Sequence, residues 1–232
     1  MTTDQTSVPS GELSEQEAQT AATQVAMRAG LRTLVECCNV VDERIGHARE
    51  VELGMMAGAG VVPGPFSRAD DIGLDVALQA IEWARTEWGD AFTPPVLLRR
   101  LVAQGRLGKK SGQGFFAYPQ PDEGEQTETV VLETRGKVAI AWLSKPPVNP
   151  LGPQMFADLM TTWEKVEANS KIKVLVIASS SNVVYSAGAD LKAFAQLDVD
   201  GSADLVSAAH KVMRAFERGK TVTIAAVNGA AL

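Results

Sequence analysis

Over the first hundred or so positions apolar residues recur with a helical period, and past residue 128 they switch to short continuous runs. Ser14 and Glu17 make an S-x-x-E capping box ahead of Ala18, Ala21, Ala22, Val25 and Ala29. A helix is therefore expected to start near Glu15 and to run through Leu34 and Val35 despite Gly30. A second helical stretch, about 43 to 57, is closed by Gly58 and Gly60, and the turn Val61-Val62-Pro63-Gly64-Pro65-Phe66 cannot continue it. Asp70 or Asp71 is expected to cap a third helix with Leu74, Ala77, Leu78, Ile81 and Trp88 on one face, a stripe that reads as core packing. Thr93-Pro94-Pro95 announces a fourth helix, which Gly105 stops. The first ten residues, MTTDQTSVPS, read as a disordered lead-in.

Residues 106–118, RLGKKSGQGFFAY, run through glycines into aromatics, and PQPDEGEQTE after them is Pro-rich, acidic and without apolar residues. That composition marks a linker at 119–128 between a helical domain, 1–118, and a second domain, 129–232. In the second domain Val130 to Thr134 and Val138 to Leu143 read as strands of a hairpin turning at Arg135-Gly136-Lys137. Met155, Leu159, Met160, Trp163 and Val166 or Glu167 then give a helix with Pro153 near its first turn, and KVLVIA (173–178) a buried strand. A helix from about Ala203 to Glu217, with Leu205, Val206, Ala209, Met213 and Phe216 inward, precedes a last strand, VTIAAV. Alternating strands and helices imply parallel pairing through right-handed crossovers. The fold class expected is an all-α helical domain followed by an α/β domain that looks truncated after its last strand.

A net charge of -6 offers no clustered cations for nucleic acid or an anionic membrane surface. No apolar run reaches the roughly 18 to 20 residues that span a bilayer, and the N-terminus lacks the basic-then-apolar pattern of an export signal. The two cysteines, Cys37 and Cys38, are adjacent, too close for ordinary disulfide geometry, which points to a reduced, cytoplasmic protein. His47 and His210 stand far apart and no CxxC or HxxxH spacing occurs, so no metal site is expected.

Two segments carry candidate chemistry. GRLGKKSGQGF invites a phosphate-loop reading, but the G-x-x-x-x-G-K-[ST] spacing is absent, because position 103 is Ala and Gly108 leads into Lys109-Lys110-Ser111. A structural turn is the expectation there. No strand-led G-x-G-x-x-G occurs, so no NAD site is expected in this chain. The second segment is Tyr185-Ser186-Ala187-Gly188-Ala189-Asp190-Leu191-Lys192. On spacing alone it is a tight strand-to-helix turn with Asp190 near an N-cap. Its small residues would also let a substrate approach the backbone, where a free N–H could donate to a developing oxyanion.

The order VVPGPFSRADDIGLD, a helix, then LVAQGRLGKKSGQGFFAY resembles the C-terminal domain of 3-hydroxyacyl-CoA dehydrogenases over roughly residues 20 to 118. The resemblance implies a helical domain that covers acyl-CoA and packs against a partner domain, with the nucleotide fold and the catalytic His and Glu upstream. The family's Asn-Arg pair at the start of this domain is missing, the chain reading AMRAGLRTLVE, which suits a second, non-catalytic copy as in multifunctional β-oxidation enzymes. NAD is then expected only for a complete dehydrogenase, with no cofactor bound by this chain.

From 129 to 232 the series VAIAWLSKPPVNPL, KVLVIAS, SAGADLKAF and TIAAVNGAAL is similar to the first part of the enoyl-CoA hydratase/isomerase, or crotonase, family, with its ββα spiral. That resemblance implies an acyl-CoA thioester as substrate. Ala189 would give one oxyanion N–H; Val148, Ser186, Ala187, Gly188 and Asp190 would line the CoA, and Lys192 would sit near its phosphates. Val148-Asn149-Pro150-Leu151 departs from the family's usual asparagine-alanine-leucine. The family's second oxyanion donor and its acid/base glutamates follow the N-G-x-A-L element, so the chain is expected not to turn over substrate alone. The carboxylates present, Glu164, Glu167 and Glu217, read as solvated surface. The function expected is part of a fatty-acid β-oxidation enzyme, as a homo-oligomer or with a complementary β-oxidation chain. The alternative is a non-catalytic acyl-CoA-binding or assembly subunit.

Overall fold

The computed structural model describes residues 14–232, so the lead-in expected at 1–10 lies outside the described residues. Helix α1 spans Glu15–Asp42, and both halves of its capping box form: Ser14 Oγ accepts from Glu17 N, and Ser14 N donates to Glu17 at 2.9 Å. Only its later turns are buried, at Leu34, Val35, Cys37 and Cys38. Both thiols are free, and burial pushes Cys37 up to about 11, so it stays protonated.

Helix α2 is Ala48–Ala59, later than the expected start near 43, because α1 runs on to Asp42 and Arg44 then takes a left-handed φ of 61° that breaks the path. Gly60, at φ 68°, closes α2. The third helical stretch is really two helices, α3 (Pro65–Ile72) and α4 (Leu74–Trp88), hinged at Gly73 with φ 105°. Neither Asp70 nor Asp71 is a cap. The start of α3 is capped from α2, where fully buried Glu52 accepts Phe66 N at 2.9 Å and Ser67 N at 3.0 Å. Helix α5, Val96–Ala103, begins at the prolines as expected, and Asp42 at the end of α1 accepts its Leu97 N. Leu34, Cys38, Phe66, Leu74, Ile81, Leu98, Leu101 and Phe116 knit α1, α3, α4, α5 and the segment after them into one core.

A second core lies on a four-stranded sheet of order β1-β2-β3-β5. Strands β1 (Val130–Arg135) and β2 (Val138–Leu143) form the expected antiparallel hairpin, with Gly136 at φ 61° in its turn. Strand β2 pairs parallel with β3 (Val174–Ser179), and β3 pairs parallel with β5 (Val222–Ala225). The crossover helices are α6 (Pro153–Ala168) and α8 (Val199–Arg218), which lay Met155, Leu159, Trp163, Leu205 and Val212 on Val130, Leu132, Ala141, Leu175 and Ile177. On the other face Trp142 packs with Val131 and Ala178, and its indole donates to buried Glu133 at 2.8 Å.

Three expectations need correction here. Val206 and Met213 of α8 are 47% and 49% exposed, not inward, because Val212 takes the facing position. Glu167 is not free surface: it accepts Thr221 N and Lys220 N and so anchors the entry to β5. Residues 125–127, read as linker, fold back on β1, with Leu132 N donating to Glu125 O and Thr127 N to Val130 O. A strand absent from the sequence reading, β4 (Val184–Ser186), pairs parallel with β6 (Ala230–Ala231) in a small second sheet. Among the described residues no helix is long and apolar enough to cross a membrane.

Candidate functional site

Parallel β2 and β3 end side by side at Leu143 and Ser179, and the loops leaving them meet. Crevices beyond the carboxyl ends of parallel strands are where open α/β sheets place ligands. Asn149 organises the junction. It is 1% exposed and left-handed at φ 48°, which Asn tolerates better than most residues. Its Oδ1 accepts Lys145 N at 2.7 Å; its Nδ2 donates to Ser179 Oγ at 2.8 Å and Tyr185 O at 3.2 Å. Its own carbonyl accepts from Ser186 Oγ at 2.9 Å. Asn228, in the turn after β5, completes the brace: Oδ1 accepts Ser179 N, and Nδ2 donates to Ser179 O at 2.9 Å.

Against this brace the segment 186–190 lies as an extra strand beside 148–151. Ala187 N donates to Val148 O at 2.9 Å, Leu151 N to Gly188 O at 2.8 Å, and Asp190 N to Leu151 O at 3.0 Å. Gly188 N turns to Ser186 Oγ at 3.1 Å. Alternation along a strand then sends the Ala189 N–H away from residue 151. Among the described residues it has no acceptor, and Ala189 is exposed. The amides of 187, 188 and 190 are all engaged, so Ala189 presents the one free donor of the turn. Gly188 is required twice over: its φ is 78°, and a Cβ there would come within 2.8 Å of Leu232 O.

Six of the seven residues singled out from sequence, Val148, Ser186, Ala187, Gly188, Ala189 and Asp190, thus meet in one ladder. Their roles divide differently. Ser186 is buried and spent on the fold, and Asp190 is the N-cap of α7 (Leu191–Phe194), accepting Ala193 N at 3.0 Å. That N–H bond, then the Lys145 ammonium at 3.4 Å, holds the Asp190 carboxyl below the usual carboxylate range. Lys192 stands apart, exposed on α7. Sequence reasoning missed Lys145, Asn149, Ser179 and Asn228. The signals available were weak: Asn before Pro in a loop, and a Ser ending an otherwise apolar strand.

The glycine-rich segment after α5 is a scaffold. Gly108 N, Ser111 N, Gly112 N and Gly114 N bond within the segment, Lys109 pairs with Asp71, and Lys110 pairs with Asp75. The glycine amides and both lysine side chains of the segment thus already have partners within it or on α3 and α4. They wrap Asp70, 1% exposed, whose carboxylate accepts Phe115 N at 3.0 Å, Phe116 N at 3.1 Å and Tyr118 Oη at 2.9 Å. A Cβ on Gly114 would fall 1.9 Å from Asp70 Oδ1, and one on Gly108 2.2 Å from Asp70 O. The glycines make room for that aspartate. Burial pushes Asp70 up to about 6, while those three bonds pull the other way.

Two family models divide the chain between them. Residues 25–118 match the 3-hydroxyacyl-CoA dehydrogenase, C-terminal domain, and residues 133–232 match enoyl-CoA hydratase/isomerase. Each model covers less than half of the chain, which is thus similar to the first family over one segment and to the second over the other. A probable 3-hydroxyacyl-CoA dehydrogenase of Caenorhabditis elegans is 38% identical over 87 residues, which are 37% of this chain and 28% of that protein. A probable 3-hydroxybutyryl-CoA dehydrogenase of Bacillus subtilis is 36% identical over 97 residues, 41% of this chain and 34% of its own. Among solved structures, Pseudomonas aeruginosa DspI aligns at 26% identity and TM-score 0.45, covering 48% of this chain and 43% of that one. The chain spans about a third of the length of the dehydrogenase relatives it matches.

Proposed function

We propose that residues 129–232 bind an acyl-CoA thioester and polarise its carbonyl through the N–H of Ala189, as part of a β-oxidation-type enzyme that hydrates 2-enoyl-CoA and oxidises 3-hydroxyacyl-CoA. The observation that carries the reading is the single unengaged amide at Ala189, held on a rigid ladder in a segment of the enoyl-CoA hydratase/isomerase family. A fixed donor aimed at a developing oxyanion contributes about 2.7 to 4 kcal/mol to its stabilisation. Val148 and the backbone of 186–190 would line the CoA, and Lys192, exposed on α7, would meet its phosphates. Asp190 is poorly suited to carry the proton, because the Ala193 N–H and the Lys145 ammonium hold its carboxyl below the usual carboxylate range. Among the described residues the ladder thus offers one donor, which favours binding with polarisation over turnover.

The domains divide at 119–128 on this reading, and the helical domain is a non-catalytic copy. On the same reading NAD belongs to a complete dehydrogenase, and this chain binds no cofactor of its own. The paired, buried, unbridged cysteines favour a reducing compartment such as the cytoplasm. The chain would act as a homo-oligomer or together with a complementary β-oxidation chain, of which only the latter would bring catalytic groups of a different sequence. The test is infrared difference spectroscopy of crotonyl-CoA bound to the chain, beside calorimetry with crotonyl-CoA and free CoA. The thioester carbonyl is expected to shift to lower frequency, and an Ala189→Pro variant, which lacks the N–H, is expected to lose the shift. A carbonyl band unmoved on binding would defeat the proposal.

A further inference from the structure

We propose that Asn182 is a positioning residue, through which the helical half of the chain holds the loop that leads into the 186–190 turn. The loop, residues 180–183, leaves β3 and enters β4, whose last residue, Ser186, begins that turn. Most of its polar groups bond inward: Ser181 N donates to Ser179 Oγ, Ser181 O accepts from Asn228 Nδ2, and Ser181 Oγ accepts Val184 N. Asn182 alone turns the other way. Its carbonyl accepts Arg49 Nε of α2 at 2.9 Å, and its Nδ2 donates to Ser67 Oγ of α3 at 3.0 Å and to Tyr118 Oη at 3.2 Å.

The receiving groups are fixed before Asn182 arrives. Tyr118 gives its proton to buried Asp70, and the backbone at Ser67 is pinned by buried Glu52. Contacts between surfaces that merely touch are made by mobile side chains, which lose entropy when they pair. A preorganised receptor avoids most of that loss. The receptor also has a polarity. With its proton committed to Asp70, the Tyr118 oxygen offers lone pairs only, so its partner must be a donor. An amide satisfies this and a carboxylate of the same shape does not. The helical segment thereby gains a role of its own, presenting Tyr118 and Ser67 to the loop of the other half. The placement of Asn182 does not depend on the Ala189 reading, because its test uses no ligand.

The test is hydrogen–deuterium exchange of the full chain, comparing peptides over 180–190 with peptides over β1 and β2. Asn182→Asp is expected to speed exchange at 180–190 by roughly tenfold, the loss of about two modest hydrogen bonds, and to leave 130–143 unchanged. In an Asp70→Asn background, Tyr118 is free to turn its proton towards position 182, so adding Asn182→Asp is expected to change exchange less than about threefold. Ser67→Ala, which removes one acceptor with little change of volume, is expected to give a smaller acceleration confined to the same peptides. Equal acceleration across both regions, no acceleration, or the same effect of Asn182→Asp in both backgrounds would each overturn the assignment.

Discussion

Asp70 makes the stability of the helical half depend on pH in a direction opposite to that of most carboxylates. Burial raises it to about 6 against an ordinary 3.8, so the folded chain binds the proton more tightly than the unfolded one. Its contribution is therefore fully present below pH 3.8 and is lost as pH rises through 6. A shift of about two units corresponds to about 3 kcal/mol. Asp70→Asn does not titrate. It keeps one acceptor oxygen and sets an N–H2 against one of the donors Phe115 N and Phe116 N, which bond to different oxygens of Asp70, so it costs about 1 to 3 kcal/mol of its own. The quantity to measure is the difference in unfolding free energy between the wild type and Asp70→Asn, from urea titrations at several pH values between 4 and 8. Titrations elsewhere, such as those of Asp158 and Asp190, which are lowered, largely cancel in that difference. The wild type's margin over the variant is expected to shrink by about 3 kcal/mol across the range, with its midpoint between 4 and 6. A margin that stays constant, or grows as pH rises, would show that the three hydrogen bonds outweigh burial, and the reasoning would fail.

Gly108→Ala should destabilise the helical half by more than about 3 kcal/mol, since φ is 93° and the new Cβ would meet the Asp70 carbonyl at 2.2 Å; thermal unfolding measures it. Asn149→Ala leaves Lys145 N and Tyr185 O without partners and should cost about 2 to 4 kcal/mol, while Asn149→Gly should recover only the part due to the left-handed backbone. Ala189→Pro is expected to remove the carbonyl shift of bound crotonyl-CoA with little change in melting temperature, because no internal hydrogen bond uses that N–H. Loss of cooperative unfolding in that variant would show that the amide is structural.

What the sequence made legible followed from local rules. The capping box at Ser14, the prolines before α5, the hairpin at Gly136 and the parallel run of β2, β3 and β5 each need only neighbours or a period to be read. The site was legible as a stretch, 186–190, with Val148 beside it. What failed had distant causes. Asp70 looked like a cap because Asp prefers that place locally, yet its partners lie 45 to 48 positions away. Glu167 looked like surface because it follows a helix face, and only the return of the chain at Thr221 gives it donors. The stripe expected on α8 was right at Leu205, Ala209 and Phe216, but its edge was drawn too wide at Val206 and Met213 and missed Val212. Asn149 and Asn228 were invisible for the same reason as Asp70: a buried polar residue is defined by what comes to meet it.

The glycine-rich segment and the 186–190 turn present the same sequence feature, small residues beside a strand or helix end, and the structure puts them to opposite uses. In the first, the amides of Gly108, Ser111, Gly112, Gly114 and Tyr118 bond inside the segment, and those of Phe115 and Phe116 bond to the Asp70 carboxylate. In the second, pairing with 148–151 engages the amides of 187 and 190, Ser186 Oγ takes that of 188, and that of 189 is left free. The difference is whether a buried charge or a neighbouring strand supplies the partner. A carboxylate at the centre of a loop collects converging N–H groups, whereas a strand engages only every second residue and sends the others outward. Glycine content therefore does not by itself distinguish a scaffold from a binding loop. Where the amides are aimed says more, and within the 186–190 turn it is Ala189 whose N–H points outward.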